Sequence, residues 1–128
     1  MNKSWFAASL LSAVAAVIRT IDGHGGPLAD ARESAMLQSS ITFFHVTWYV
    51  LSAFFLIAAF VFLRLARGDQ DAAAAGQANI LAAFFLATAA VLVANAFVFG
   101  WFPAVAIAST VTGLVGVLAL AGGRGIRP

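Results

Sequence analysis

The chain has 128 residues, of which 62% are hydrophobic and only 9% are charged, and its mean hydropathy is +0.98. A soluble domain carries about 25% charged residues, so this composition excludes a water-soluble globular protein and a disordered chain. Cysteine is absent, which excludes disulfides, thiolate nucleophiles, thiolate metal ligands and iron–sulfur clusters held by cysteine. The sequence therefore predicts a single-domain integral membrane protein.

Four apolar blocks follow one another along the chain. The predicted spans cover about residues 5–20, 41–65, 76–99 and 103–122, and a spanning helix needs about 20 apolar residues. The first block is short, and it spans only if the side chains of Lys3 and Arg19 reach the two interfaces. A cleaved signal peptide is the alternative for this block. The predicted fold is all-α, a four-helix transmembrane bundle that runs up-down-up-down.

The ends of the later spans carry helix-boundary residues. Asp71 is placed to cap the third span, Pro103 to begin the fourth, and Gly122 and Gly123 to end it. The first connection is the only long one. Its glycine-rich residues 22–27 predict a turn without helix. From Pro27 onwards, apolar residues recur at helical spacing, which predicts a short amphipathic helix on the outer surface or an outward extension of the second span.

The distribution of basic residues predicts the orientation. The formal net charge is +2, and in a chain this apolar it indicates membrane orientation rather than nucleic-acid binding. Arg19 and Arg32 fall on one side, which we take as the outer side. The other five basic residues fall on the side of both termini, which predicts cytoplasmic termini: Lys3, Arg64, Arg67, Arg124 and Arg127. The expected aromatic interface anchors are Trp5 on the inner side and Trp48, Tyr49 and Trp101 on the outer side.

Small residues form stripes on the first and fourth spans. Helices in lipid associate through small residues that let backbones approach and through polar side chains. We expect helix packing through Ala8 and Ser12 on the first span and through Ala106, Ser109, Gly113 and Gly116 on the fourth. The alternative is a polar lining for a small-solute channel. No ionisable residue falls in the middle of a span, which argues against an ion-coupled transporter.

A polar and aromatic patch is predicted at the outer end of the second span. His45, Trp48, Tyr49 and Ser52 follow at helical spacing, and the third span presents Thr88 and Asn95 on one face. If the two faces meet, they form an outer-leaflet pocket with His45 and Asn95 in its wall.

Three interpretations of this patch remain open at the level of sequence. In the first, His45 bonds a backbone carbonyl or Asn95 and no cofactor is present. In the second, the pocket binds a lipid or a quinone. In the third, His24 and His45 bind copper, zinc or haem, and the further metal ligands are drawn from Asp22, Glu33 and Met36.

Signatures of catalysis are missing from the sequence. There is no nucleophile elbow, no carboxylate near a span-borne histidine and no phosphate-binding loop. The sequence therefore favours a protein without catalytic activity. Four short helices bury little surface between themselves, so we expect a homo-oligomer or a larger membrane complex in addition to contact with the lipid bilayer.

The layout resembles that of small four-span bacterial inner-membrane proteins. The resemblance covers the whole chain and depends on two features: the stretch from His24 to Pro27 after the first span, and His45 before the aromatic pair that opens the second. It implies a bacterial inner-membrane location. It implies no defined activity and no site residue.

Overall fold

The computed structural model describes residues 1–100, 103–124 and 126. Within them, five helices follow in chain order: α1 (Lys3–Gly25), α2 (Pro27–Glu33), α3 (Gln38–Arg67), α4 (Ala72–Phe99) and α5 (Pro103–Gly123). Four described segments are long and apolar enough to cross a membrane, and the first of them combines α1 with α2. The predicted all-α four-helix bundle, with a short helix after the first span, is confirmed.

The exterior of the bundle is apolar. Large side chains such as Phe60, Ile80 and Ile107 are more than half exposed. In water this would be an extended hydrophobic patch, which soluble monomers rarely expose, whereas in a bilayer it is the ordinary contact with acyl chains. The protein is therefore an integral membrane protein.

The helices pack unevenly within the bundle. α1 packs against both α3 and α5, α4 packs along α5, and α3 and α4 make few backbone approaches. The space between α3 and α4 is filled by phenylalanines: the Phe54 ring centre lies 4.2 Å from that of Phe84 and 5.5 Å from that of Phe85. α4 and α5 approach closely at Gly116 because glycine has no side chain: an added Cβ there would lie 2.7 Å from Leu86 Cγ.

One end of the bundle is closed by the first residues of the chain. The indole of Trp5 is fully buried, and its Nε1 donates to the Ala119 carbonyl oxygen at 2.9 Å. A Cβ on Gly122 would overlap this ring. The Asn2 amide donates to the Gly122 carbonyl oxygen at 2.7 Å, and the Asn2 backbone N–H donates to that of Ala66 at 2.9 Å. The beginning of α1 and the ends of α3 and α5 therefore meet at one end, as an up-down-up-down topology requires.

The expectation that Trp5 is a lipid-facing interface anchor is wrong. Its ring fills the space above Gly122 inside the bundle, so it contacts protein on all sides. A pattern of apolar residues does not show whether a tryptophan faces lipid or the interior of the bundle, since both surroundings are apolar. Trp101, the third expected outer anchor, lies outside the described residues.

The predicted boundary residues of the third and fourth spans are confirmed. Asp71 caps α4, and its Oδ1 accepts from the Ala74 N–H at 2.7 Å. α5 begins at Pro103 and ends at Gly123. Gly100 follows α4 with a φ of 103°, a conformation that glycine adopts without steric cost.

The expectation that residues 22–27 hold no helix is wrong, because α1 continues to Gly25. Each glycine costs a helix about 1 kcal/mol relative to alanine, but Gly23 gives the Trp48 indole room to pack where a Cβ would overlap it. The helix breaks only at Gly26, since Pro27 disfavours a helical residue before it. Pro27 then begins α2.

Candidate functional site: a cavity between α2 and α3

A cavity of about 580 Å³ lies between α2 and the N-terminal part of α3, and most of its lining side chains are exposed. Its volume falls in the range of small-molecule sites, about 300–1,000 Å³. Arg32 contributes from α2, and the remaining lining comes from one face of α3 between Gln38 and Val50. These α3 positions recur at steps of three and four residues, which places them on the same side of a helix.

The position of the cavity relative to the hydrocarbon core follows from the length of α3. A helix rises about 1.5 Å per residue, so His45 lies about 28 Å along the axis from Arg64 at the opposite end. The hydrocarbon core is about 30 Å thick. With the Arg64 guanidinium at one interface, His45 therefore lies at the other edge of the hydrocarbon. Gln38 is about 10 Å further out, and Val50 about 8 Å further in.

The lining changes from polar to apolar along this axis. Arg32, Gln38 and Thr42 line the outer part, whereas Val46 and Val50 line the part that reaches into the hydrocarbon. Thr42 donates to the Gln38 carbonyl oxygen at 3.0 Å, so its hydroxyl oxygen can still accept a bond from a ligand. The cavity thus has the same polarity gradient as the leaflet of lipid beside it.

His45 lies in the cavity wall at the level where this gradient changes. Its ring is half-buried, and its Nε2 is shielded from solvent without a hydrogen-bond partner. No hydrogen bond to His45 is present among the described residues, so the bond to a carbonyl or to Asn95 expected from the sequence does not form. A buried imidazole nitrogen left unpaired costs about 1–3 kcal/mol.

The two α4 residues predicted for this site bond within their own helix. Asn95 donates to the Val91 carbonyl oxygen at 2.8 Å, and Thr88 donates to that of Phe84 at 2.9 Å. Neither side chain lines the cavity. Because phenylalanines fill the contact between α3 and α4, the polar face of α4 is not brought against the polar face of α3.

Trp48 and Tyr49 point in different directions. Successive helical residues are about 100° apart, and only Tyr49 lines the cavity. The Trp48 Nε1 donates to the Arg19 carbonyl oxygen at 2.9 Å, which places the indole in the interface between α1 and α3. Ser52 is buried and donates to the Trp48 carbonyl oxygen at 3.0 Å, so it too lies in an interface between helices.

Tyr49 joins the cavity wall to the end of α1. Its hydroxyl lies 2.9 Å from Nδ1 of the exposed His24, and the two rings meet edge to face with centres 5.9 Å apart. The two histidines therefore differ: His24 is bonded to Tyr49, whereas His45 has no hydrogen-bond partner among the described residues. Sequence reasoning missed this contact because it depends on α1 continuing as a helix to Gly25.

Arg32 and Gln38 are cavity residues that sequence reasoning also missed. The available signal for Gln38 was its position seven residues before His45, which puts both on one face of α3. For Arg32 no local signal existed, since its place in the lining depends on how α2 folds back over α3.

Metal-ligand geometry is not seen in the described ranges 1–100, 103–124 and 126. Within them, no group of three or more His, Asp or Glu side chains converges to hold an ion. The further ligands suggested from the sequence, Asp22, Glu33 and Met36, are all exposed. A metal ion or haem at His24 or His45 would therefore need ligands from outside this set.

The small-residue stripes differ in burial. Ala8 and Ser12 on α1 and Ser109 on α5 are buried, as is Gly116, whereas Ala106 and Gly113 are half-buried. The Ser12 hydroxyl is buried without a hydrogen-bond partner.

Comparison of the chain with protein-family models, with curated proteins and with solved structures finds no match. The resemblance to small bacterial inner-membrane proteins is supported in one respect, the four apolar helices.

Proposed function

We propose that the protein is a non-enzymatic accessory or self-associating bundle of the bacterial inner membrane, and that its outer-end cavity binds one amphiphile, a lipid or a quinone. The observation that carries this proposal is the match between the cavity and the leaflet. Polar side chains line it at head-group level, and Val46 and Val50 line it at acyl-chain level.

His45 supports the same proposal. Its unpaired Nε2 lies in the wall between the polar and the apolar part. If the imidazole turned to present Nε2 to the cavity as an N–H donor, an oxygen of a head group or of a quinone ring would supply the partner that this nitrogen lacks among the described residues.

The orientation follows from the basic residues. Asn2, the end of α3 and the end of α5 lie together, and Lys3, Arg64 and Arg124 are on helices that begin or end there. Under the positive-inside rule this end faces the cytoplasm, and the cavity faces the outer leaflet. The exposed apolar side chains of all four spans are available to lipid, to a second copy or to a larger complex.

A photoreactive amphiphile tests the proposal. We would reconstitute the protein in phosphatidylcholine vesicles with a diazirine-bearing monoacylglycerol, irradiate, and map the labelled peptides by mass spectrometry. Labelling is expected to concentrate on residues 38–50. Val46→Trp, which fills the cavity, should reduce it several-fold.

Val17→Trp is the matched control for this experiment. Val17 and Val46 are the same residue type and are 53% and 54% exposed, but only Val46 lines the cavity. Labelling spread evenly over the lipid-exposed faces of the bundle, or equal labelling of both variants, would overturn the proposal.

The alternatives give different results with the same purified protein. A metal- or haem-binding redox component using His24 and His45 would show stoichiometric copper or a Soret band that His45→Ala abolishes. A small-solute channel would release a solute trapped in the vesicles. Either result would replace the amphiphile-binding proposal as the main function.

A further inference from the structure

We infer that the cavity selects an amphiphile with an anionic head group, a carboxylate or a phosphate, and that Arg32 binds this group. The inference depends on the proposed function and names the ligand chemistry of the same cavity. Three observations support it. Arg32 is a charged residue of the cavity lining, its guanidinium has no partner among the described residues, and α2 is packed against the bundle.

Among the described residues, the lining has one charged side chain, Arg32, and no acidic one. In the part of the chain that the structure describes, Arg32 forms no hydrogen bond and no ion pair. Arg32 and its neighbours Asp30 and Glu33 are all exposed, but neither acidic residue lines the cavity. A guanidinium presents five N–H donors in a plane that matches the oxygens of a carboxylate or a phosphate. The cavity therefore offers a positive site with unused donors.

The backbone of α2 holds Arg32 in position. On this helix, Leu28 and Ala31 are buried, so the helix is fixed to the bundle by its apolar face. Arg32 follows in the last turn and lines the cavity beside Gln38. Its exposed guanidinium is thus carried by a packed helix at the polar part of the cavity lining, where the proposed function places a lipid head group.

The other head-group classes fit this lining less well. A neutral quinone ring would offer a partner to His45 but no negative charge to the exposed guanidinium of Arg32. A phosphatidylcholine head group has a phosphate that can pair with Arg32, but its choline brings a second positive charge close to the guanidinium and weakens the net attraction. An anionic head group pairs with Arg32 while its chain runs along Val46 and Val50.

Competition against the neutral monoacylglycerol label measures this selectivity directly. We would add unlabelled amphiphiles at pH 9, where a fatty acid is ionised, and record how each reduces labelling of residues 38–50. The competitors are oleate, phosphatidylglycerol, phosphatidylethanolamine and a short-chain quinone, because phosphatidylcholine already forms the bilayer. For the wild type, at least one anionic competitor is expected to displace the label about fivefold more effectively than the neutral and zwitterionic ones.

Variants assign the effect to one side chain. Arg32→Gln should abolish the anionic advantage while keeping the neutral label bound, which also shows that the variant is folded. Arg32→Lys should keep part of the advantage, because it retains the charge but loses the paired donors. Arg67→Gln is the matched control, since Arg67 is an exposed arginine at the other end of α3 and its loss should change nothing.

Each result bears on the inference. Competition by oleate alone identifies a single-chain carboxylate, competition by phosphatidylglycerol alone identifies a membrane phospholipid, and both support it. Equal competition by all four amphiphiles, or an anionic advantage that survives in Arg32→Gln, overturns the charge selectivity and leaves amphiphile binding intact. Absence of any label on residues 38–50 overturns the proposed function and this inference with it.

Discussion

The guanidinium of Arg19 lies 3.9 Å from the centre of the Trp48 ring, and the indole Nε1 of Trp48 donates to the carbonyl oxygen of Arg19 at 2.9 Å. One residue of α1 is therefore held twice by one residue of α3, through a cation–π contact and a hydrogen bond. Four residues further along α1, Gly23 leaves the space that the indole occupies. The outer end of the interface between α1 and α3 depends on this arrangement.

The two glycines on either side of His24 should respond differently to alanine. A methyl group at Gly23 would overlap the Trp48 indole, whereas one at Gly25 would meet no atom within 4 Å. Gly23→Ala should therefore lower the free energy of unfolding by about 1–3 kcal/mol. Gly25→Ala should leave it unchanged or raise it by up to about 1 kcal/mol. Unfolding in mixed detergent micelles measures both, and equal effects would show that the indole does not pack on Gly23.

A second glycine pair tests the contact between α4 and α5. At Gly116 an added Cβ would lie 2.7 Å from Leu86 Cγ and 3.2 Å from the Ala82 carbonyl oxygen, whereas at Gly113 the nearest atom, Ala89 Cβ, is 3.8 Å away. Gly116→Ala should cost about 1–3 kcal/mol. Gly113→Ala should cost little or nothing, since 3.8 Å is ordinary van der Waals contact. The measurement is again unfolding in detergent, and a larger loss for Gly113→Ala would contradict the packing described here.

Replacement of His45 by leucine should not destabilise the protein in the absence of ligand. The imidazole Nε2 has no hydrogen-bond partner in the part of the chain that the structure describes, and removal of an unpaired buried polar atom is neutral or favourable by about 1 kcal/mol. His24→Leu is the comparison, because it breaks the bond to Tyr49 at a cost of about 0.5–1.5 kcal/mol. Thermal melts of delipidated protein measure both variants. A marked loss in His45→Leu would mean that the imidazole is bonded within the bundle.

Reporter fusions test the orientation. Alkaline phosphatase fused after α5 should be inactive and a green fluorescent protein there should be fluorescent, because the positive-inside rule places this end in the cytoplasm. Phosphatase inserted between α2 and α3 should be active. The opposite pattern would place the cavity in the inner leaflet and reverse the proposed topology.

Features governed by neighbouring residues could be predicted from the sequence. Span positions follow from runs of apolar residues, and the start of α4 follows from Asp71, whose cap involves a residue only three positions away. The start of α5 at Pro103 is equally local, since proline fits the first turn of a helix.

The arrangement of the site could not be predicted in the same way. Trp48 and Tyr49 are adjacent in sequence, and which of them faces the cavity depends on where α1 packs. Arg32 enters the lining only because Leu28 and Ala31 anchor α2 to the bundle. The position of His45 could be predicted from its place on α3, but its lack of a partner depends on the path of α4.

The bond from Trp5 to Ala119 joins residues 114 positions apart, and this has a consequence for biosynthesis. At about 5–20 residues per second, the acceptor leaves the ribosome about 6–23 s after the donor. During that interval α1 is already in the bilayer with the Trp5 N–H and the Asn2 amide lacking their acceptors on α5. The contacts that close this end of the bundle therefore cannot form before α5 is made, and a chain truncated before α5 leaves the Trp5 and Asn2 donors without these acceptors.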